Sequence, residues 1–183
     1  MARALSDRGA SMLWISLLTA ASTGTTLLLA CATPFPALAA LAAVHMRPRD
    51  GMALMLLAWA ASQAVGFGLL GYPHDPLTLG WGVALATAAV GSVLAGYAVL
   101  GMLGKVAIAA RLATAYGAAF AAFKSIIALW ALALGGLHTA AAPGLLAEQF
   151  ARNGAILVGL YLLYRILVAV GVPAPPQREA AAA

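Results

Sequence analysis

Thr78–Leu103 reads TLGWGVALATAAVGSVLAGYAVLGML and holds no charged residue. At a rise of about 1.5 Å per residue, a helix of this run exceeds the roughly 30 Å hydrocarbon core of a bilayer. Gly80, Ala84, Ala88, Ser92 and Gly96 recur at every fourth position within it. They therefore share one helix face and mark a close helix–helix seam. The segment makes this chain a helical membrane protein, and its neighbours extend the pattern.

Working outward, apolar runs cover about Ser11–Cys31, Met52–Gly71, Ile108–Leu134 and Ala155–Gly171. A shorter one begins near Pro34 or Pro36 and ends by Met46. It is well below the roughly 20 residues of a straight crossing, so it is either shielded by its neighbours or re-entrant. The Ser11–Cys31 run is longer than a signal-peptide core and reads as a span. Leu28-Leu29-Ala30-Cys31 approximates a lipoprotein cleavage site, but a polytopic remainder would be unusual for that class. Arg47-Pro48-Arg49-Asp50-Gly51 reads as a turn. Ala113, Gly117, Ala121 and Ser125 form a second small stripe, expected inside the bundle, with docking of a membrane partner as the alternative. Gly135–Gly154 is expected to be the longest connection, with a short interfacial helix over Pro143–Arg152 that carries Leu145, Leu146 and Phe150 on its apolar side.

Residues 1–171 thus read as one all-α, six-span domain, and 172–183, rich in Pro and Ala, as a disordered cytoplasmic tail. Charge sets the orientation. Of the ten Lys and Arg residues, Arg3, Arg8, Arg47, Arg49, Lys105, Arg111 and Arg178 fall on one side of such a bundle. Only Arg152 falls on the other, while Lys124 and Arg165 lie within apolar runs. The basic side is the cytoplasmic one, which puts both termini inside. A 64% hydrophobic, 8% charged composition excludes an ordinary soluble domain. The net charge of +5 flanks the spans instead of clustering on a face, which argues for anionic lipid and against nucleic acid.

Three connections then face outward: Cys31–Phe35, Tyr72–Leu77 and Gly135–Gly154. They hold Cys31, Tyr72, His74, Asp75, His138 and Glu148, with Trp81 nearby. Each has a plain reading as well. Aromatic residues belt membrane boundaries, a lone histidine in a loop is solvated, and a lone cysteine packs as a small hydrophobe. One cysteine excludes an intrachain disulfide or a cysteine cluster. His45, at the cytoplasmic end of the short span, reads as interfacial. Lys124, midway along its run, is costly in lipid and marks function by default. It faces a wet cavity, bonds backbone carbonyls and hydroxyls, or snorkels from a shifted helix. Arg165, nearer the cytoplasm, snorkels. No phosphate loop, dinucleotide fingerprint, nucleophile elbow or acid–base pair occurs, so the chain is not expected to be an enzyme and no resident cofactor is expected.

Six spans, cytoplasmic termini and ligand-capable outward loops resemble the substrate-binding S-components of energy-coupling factor vitamin transporters. Pro34-Phe35-Pro36 through Arg47-Pro48-Arg49-Asp50-Gly51 is similar in cadence to their second-to-third-helix region. Gly66-Phe67-Gly68-Leu69-Leu70-Gly71-Tyr72-Pro73, with Trp81 beyond, is similar to the solitary cobalamin transporters of that family. The resemblance implies vitamin uptake across an inner membrane through a periplasm-facing cavity. It also implies Cys31 as a ligand to substrate cobalt, and an energising module as a partner on the basic face. Cys31, Tyr72, His74, Asp75, Trp81, Lys124 and His138 are then the candidate substrate-binding residues. A membrane scaffold subunit, packing through its small stripes, is the competing reading. Transport requires an outward cavity reached by Lys124 or Cys31; a scaffold requires a solid bundle with an outward-facing small stripe.

Overall fold

A computed structural model describes residues 6–28, 34–104 and 106–176. The described residues are helical throughout their ordered elements: α1 (Asp7–Leu28), α2 (Phe35–His45), α3 (Pro48–Gly68), α4 (Pro76–Met102), α5 (Ile108–Leu134), α6 (Leu137–Ala140) and α7 (Pro143–Ala169). Among them α3, α4, α5 and α7 are long and apolar enough to cross a membrane.

Every residue of α2 is buried. This short helix is the axis of the bundle, packed by α3, α4, α5 and α7, while α1 lies against α3. Its sequence, FPALAALAAVH, offers no polar face because it meets protein on all sides. Alanine on α2 allows the close approach that the α4 stripe requires: Ala84, Ala88, Ser92 and Gly96 are all buried. Tyr97 then pins the α2–α3 corner. Its hydroxyl lies 3.1–3.2 Å from the carbonyl oxygens of Ala42, Met46 and Arg47, which end α2 and begin α3.

Five expectations need correction, the last of them at His45. Arg47–Gly51 is not a free turn, because Pro48 opens α3 directly. Proline at the first helical position loses no hydrogen bond, and Asp50 in the first turn favours the helix dipole. The connection before the last span shrinks to residues 135–142, since α7 starts at Pro143 for the same reason and runs unbroken through Arg152 and Gly154. Gly135 and Gly136 both hold φ of +89°, which lets the chain reverse there without side-chain strain. The α5 stripe does not face the interior. Ala113, Ala121 and Ser125 are exposed and a Cβ on Gly117 would meet open space, while Leu112, Ala115, Tyr116, Ala119 and Phe123 form the buried face. Fourth, the expected tail begins with a docked stretch, where the Pro173 carbonyl accepts the Trp14 indole N–H at 2.7 Å.

Among the described residues, Arg47 and Arg49 gather at one end with acidic partners. Arg47 bonds Asp7 at 2.9 Å and Arg49 lies 3.5 Å from Asp50; Asp50 also accepts the Ser11 hydroxyl at 2.8 Å. His45 at this end is buried, not interfacial. Its ring sits 4.2 Å from that of Tyr164 and neither nitrogen has a hydrogen-bond partner. Arg165 is exposed and donates to the Tyr161 hydroxyl at 3.1 Å.

Candidate functional site

At the opposite end the helices part. A cavity of about 250 Å³ opens between α4, α5 and α7 above the start of α2. Pro36 forms its floor, Trp81 and Leu85 come from α4, and Phe120, Phe123, Lys124 and Ile127 from α5. Gln149, Arg152 and Asn153 come from α7. Lys124 stands ten residues before the end of α5, about 15 Å at the usual helical rise. The cavity therefore occupies the part of the bundle nearest the α3–α4 and α5–α7 connections.

Long side chains bridge α5 and α7 around this space. The Tyr116 hydroxyl donates to the Phe150 carbonyl at 2.5 Å, and the Phe150 ring sits 4.9 Å from Tyr116 and 5.1 Å from Phe120. Lys124 donates to the side-chain oxygen of Gln149, with its ammonium 5.9 Å from the Phe120 ring centre. Arg152 pairs with Glu148 one turn earlier on α7. Asn153 is 7% exposed. Its amide donates to the Gln149 carbonyl at 3.0 Å, while its side-chain oxygen is buried with no partner.

Trp81 differs from the other three tryptophans. Trp14 donates to the Pro173 carbonyl, Trp59 to the Gly82 carbonyl and Trp130 to the Thr87 hydroxyl, at 2.7–2.9 Å. The Trp81 indole N–H has no acceptor among the described residues and stands at the cavity wall.

Of the residues singled out from sequence, Trp81 and Lys124 thus meet in one place. Lys124 lines the cavity and bonds a side-chain amide, that of Gln149, where backbone carbonyls and hydroxyls were the expected partners. Asp75 does not join them. It caps α4, accepting the N–H groups of Leu77 and Thr78 at 2.9 and 3.0 Å and the Thr78 hydroxyl at 2.8 Å. The Thr78 N–H above all holds its carboxyl below the usual carboxylate range, so it stays an ionised cap. Tyr72 packs its ring at Gly66 and Phe67, and His74 lies 5.1 Å from the Phe67 ring. His138 is exposed on α6. Cys31 lies outside the described residues. Among the described residues no three His, Cys, Asp or Glu side chains gather as a metal site would require.

Sequence reasoning missed Gln149, Arg152 and Asn153 as lining residues. The available signal was the helical spacing of Leu157, Leu160 and Tyr164, a face that runs back past Gly154 to Asn153.

No family model, curated protein or solved structure matches this chain.

Proposed function

We propose that this chain is a substrate-binding membrane subunit or transporter for uptake of a small vitamin-type molecule, held in the Lys124–Arg152 cavity. One observation carries the reading: a cavity at the less basic end of the bundle lined by a lysine without a carboxylate partner and by a buried, orphaned amide oxygen, with an accessible indole N–H beside them. A group left unpaired in a low-dielectric interior costs free energy that a complementary ligand recovers. A bundle built only to scaffold would have no use for such a space. Its volume is just below the roughly 300–1,000 Å³ of small-molecule pockets, which suits a compound of one or two rings better than a corrinoid. Catalysis is not part of the reading.

If α1 and the half-length α2 count as passes beside α3, α4, α5 and α7, the six would put both termini on the basic side, cytoplasmic in a bacterial inner membrane. The cavity then opens outward. Reporter fusions after Ala183 and within residues 74–77 will give opposite signals; equal signals would remove the six-pass arrangement and the outward cavity together.

The test of function is ligand retention. Protein purified in mild detergent will release a small molecule on denaturation, detectable by absorbance and mass at close to one per chain. A corrinoid would be coloured and recognised at once. Protein that is repeatedly empty, and that no candidate vitamin shifts in melting temperature, would leave the scaffold reading in place. The exposed α5 stripe of Ala113, Gly117 and Ala121 favours that second reading, or an energising partner seated there, because small residues let a neighbouring helix approach.

A further inference from the structure

We infer that the ligand of this cavity is a planar conjugated molecule carrying an anionic group, either carboxylate or phosphate. The inference rests on the binding function proposed above and narrows it to a chemical class.

Charge gives the first half. Lys124 and Arg152 both line the cavity, and Glu148, bonded to Arg152, is the one carboxylate close by. The other described carboxylates are committed elsewhere: Asp7 and Asp50 to the basic end, and Asp75 to the cap of α4. Lys124 has only the neutral Gln149 amide. An ammonium inside a membrane bundle without a counter-charge is costly. An anion at this point supplies the counter-charge and frees Gln149, whereas a cationic ligand would add to the repulsion.

The remaining lining gives the second half. Trp81, Phe120 and Phe123 present flat apolar surface, against which a conjugated ring packs over a large area. Two groups at the wall stay unbonded, and they are complementary in kind. The Trp81 N–H, accessible at the wall, is free to donate, and the buried oxygen of Asn153 requires a donor. A heteroaromatic ring with both a ring acceptor and an N–H or O–H edge satisfies each of them, while an alkyl carboxylate of the same charge can accept from Trp81 but offers the Asn153 oxygen no donor.

Full-length protein in a neutral detergent will be tested by equilibrium dialysis against benzimidazole-5-carboxylate, benzimidazol-5-yl phosphate and the neutral benzimidazole-5-carboxamide, whose ring carries both an acceptor nitrogen and an N–H. At least one anionic probe will bind about tenfold or more tighter than the carboxamide, the ratio that one charge-assisted hydrogen bond supplies. Lys124→Met will bring the ratio below about threefold, and Lys124→Arg, which keeps the charge, will restore it. Lys124→Met leaves the Gln149 oxygen without its donor, so binding is compared only between variants that melt as the parent does. Melting shifts of the parent protein will also rank the probes with no variant involved. Equal binding of all three probes would overturn the anionic class while leaving a small-molecule site standing. A preference that survives Lys124→Met would overturn the assignment to this cavity. No binding of any probe, in protein that also purifies empty, would remove both this inference and the function beneath it.

Discussion

Phe35→Ala will lower the unfolding free energy by about 3–5 kcal/mol, the usual cost of removing a buried ring. Phe35 is fully buried at the first helical position of α2, with its ring centre 6.0 Å from that of Phe123. In a membrane bundle the apolar solvent is as greasy as the core, so transfer out of water contributes little between helices. What holds α2 in place is close packing, and a void forfeits those contacts outright. Lipid cannot fill the gap, because α3, α4, α5 and α7 screen α2 on all sides. Purified Phe35→Ala and Leu129→Ala proteins would be compared in denaturant titrations. Leu129 is 65% exposed on α5, so its truncation will change little. If the two variants unfold alike, α2 is not the packed axis described above.

That central role was only partly legible in the sequence. The length of the Pro34–Met46 run excludes a full crossing, and its unbroken apolar character fits a shielded helix. Whether its neighbours are protein or lipid cannot be read from hydrophobicity, since both are apolar. The same ambiguity explains the two small stripes. Ala84, Ala88, Ser92 and Gly96 face protein, whereas Ala113, Gly117 and Ala121 have the same spacing and face outward. On α5 the interior face instead carries Leu112, Tyr116 and Phe123, large side chains that a stripe argument overlooks.

The cavity divides along a similar line. Lys124 stood out because an ionisable residue within an apolar run is conspicuous, and Trp81 because it lies near a turn. Gln149, Arg152 and Asn153 did not, because polar residues after a pair of glycines resemble a loop. Pro143 reads as the start of a short interfacial helix ending by Arg152, whereas that helix runs on through Gly154 into the last span. The polar character that suggested a connection belongs to the wall of the cavity. His74, Asp75 and His138 share the same end of the bundle, yet topology alone could not show that Asp75 is used up as a cap and that His138 sits exposed on α6.

Ala88→Leu and Gly96→Leu will each destabilise the protein, by about 1–3 kcal/mol for overpacking a filled seam, with Gly96 at the upper end. A Cβ on Gly96 would already lie 3.1 Å from the Ala43 Cβ, and 3.6 and 3.9 Å from the carbonyl oxygens of Ala39 and Ala115. Two of those three neighbours are backbone, which cannot rotate away, and a leucine adds three further carbons. Leucine also gains up to about 1 kcal/mol of helix propensity over glycine. That gain opposes the clash without cancelling it, so the net sign stays unfavourable. At Ala88, fully buried on the same face, the propensity difference is small and the steric term stands nearly alone. Ala113→Leu and Ala121→Leu supply the contrast: the spacing is the same but the side chains are exposed, so the isolated protein will melt close to the parent. Should the α4 variants melt like the α5 variants, spacing would carry no information about which face is packed, and the α2–α4 seam that supports the cavity floor would have to be redrawn.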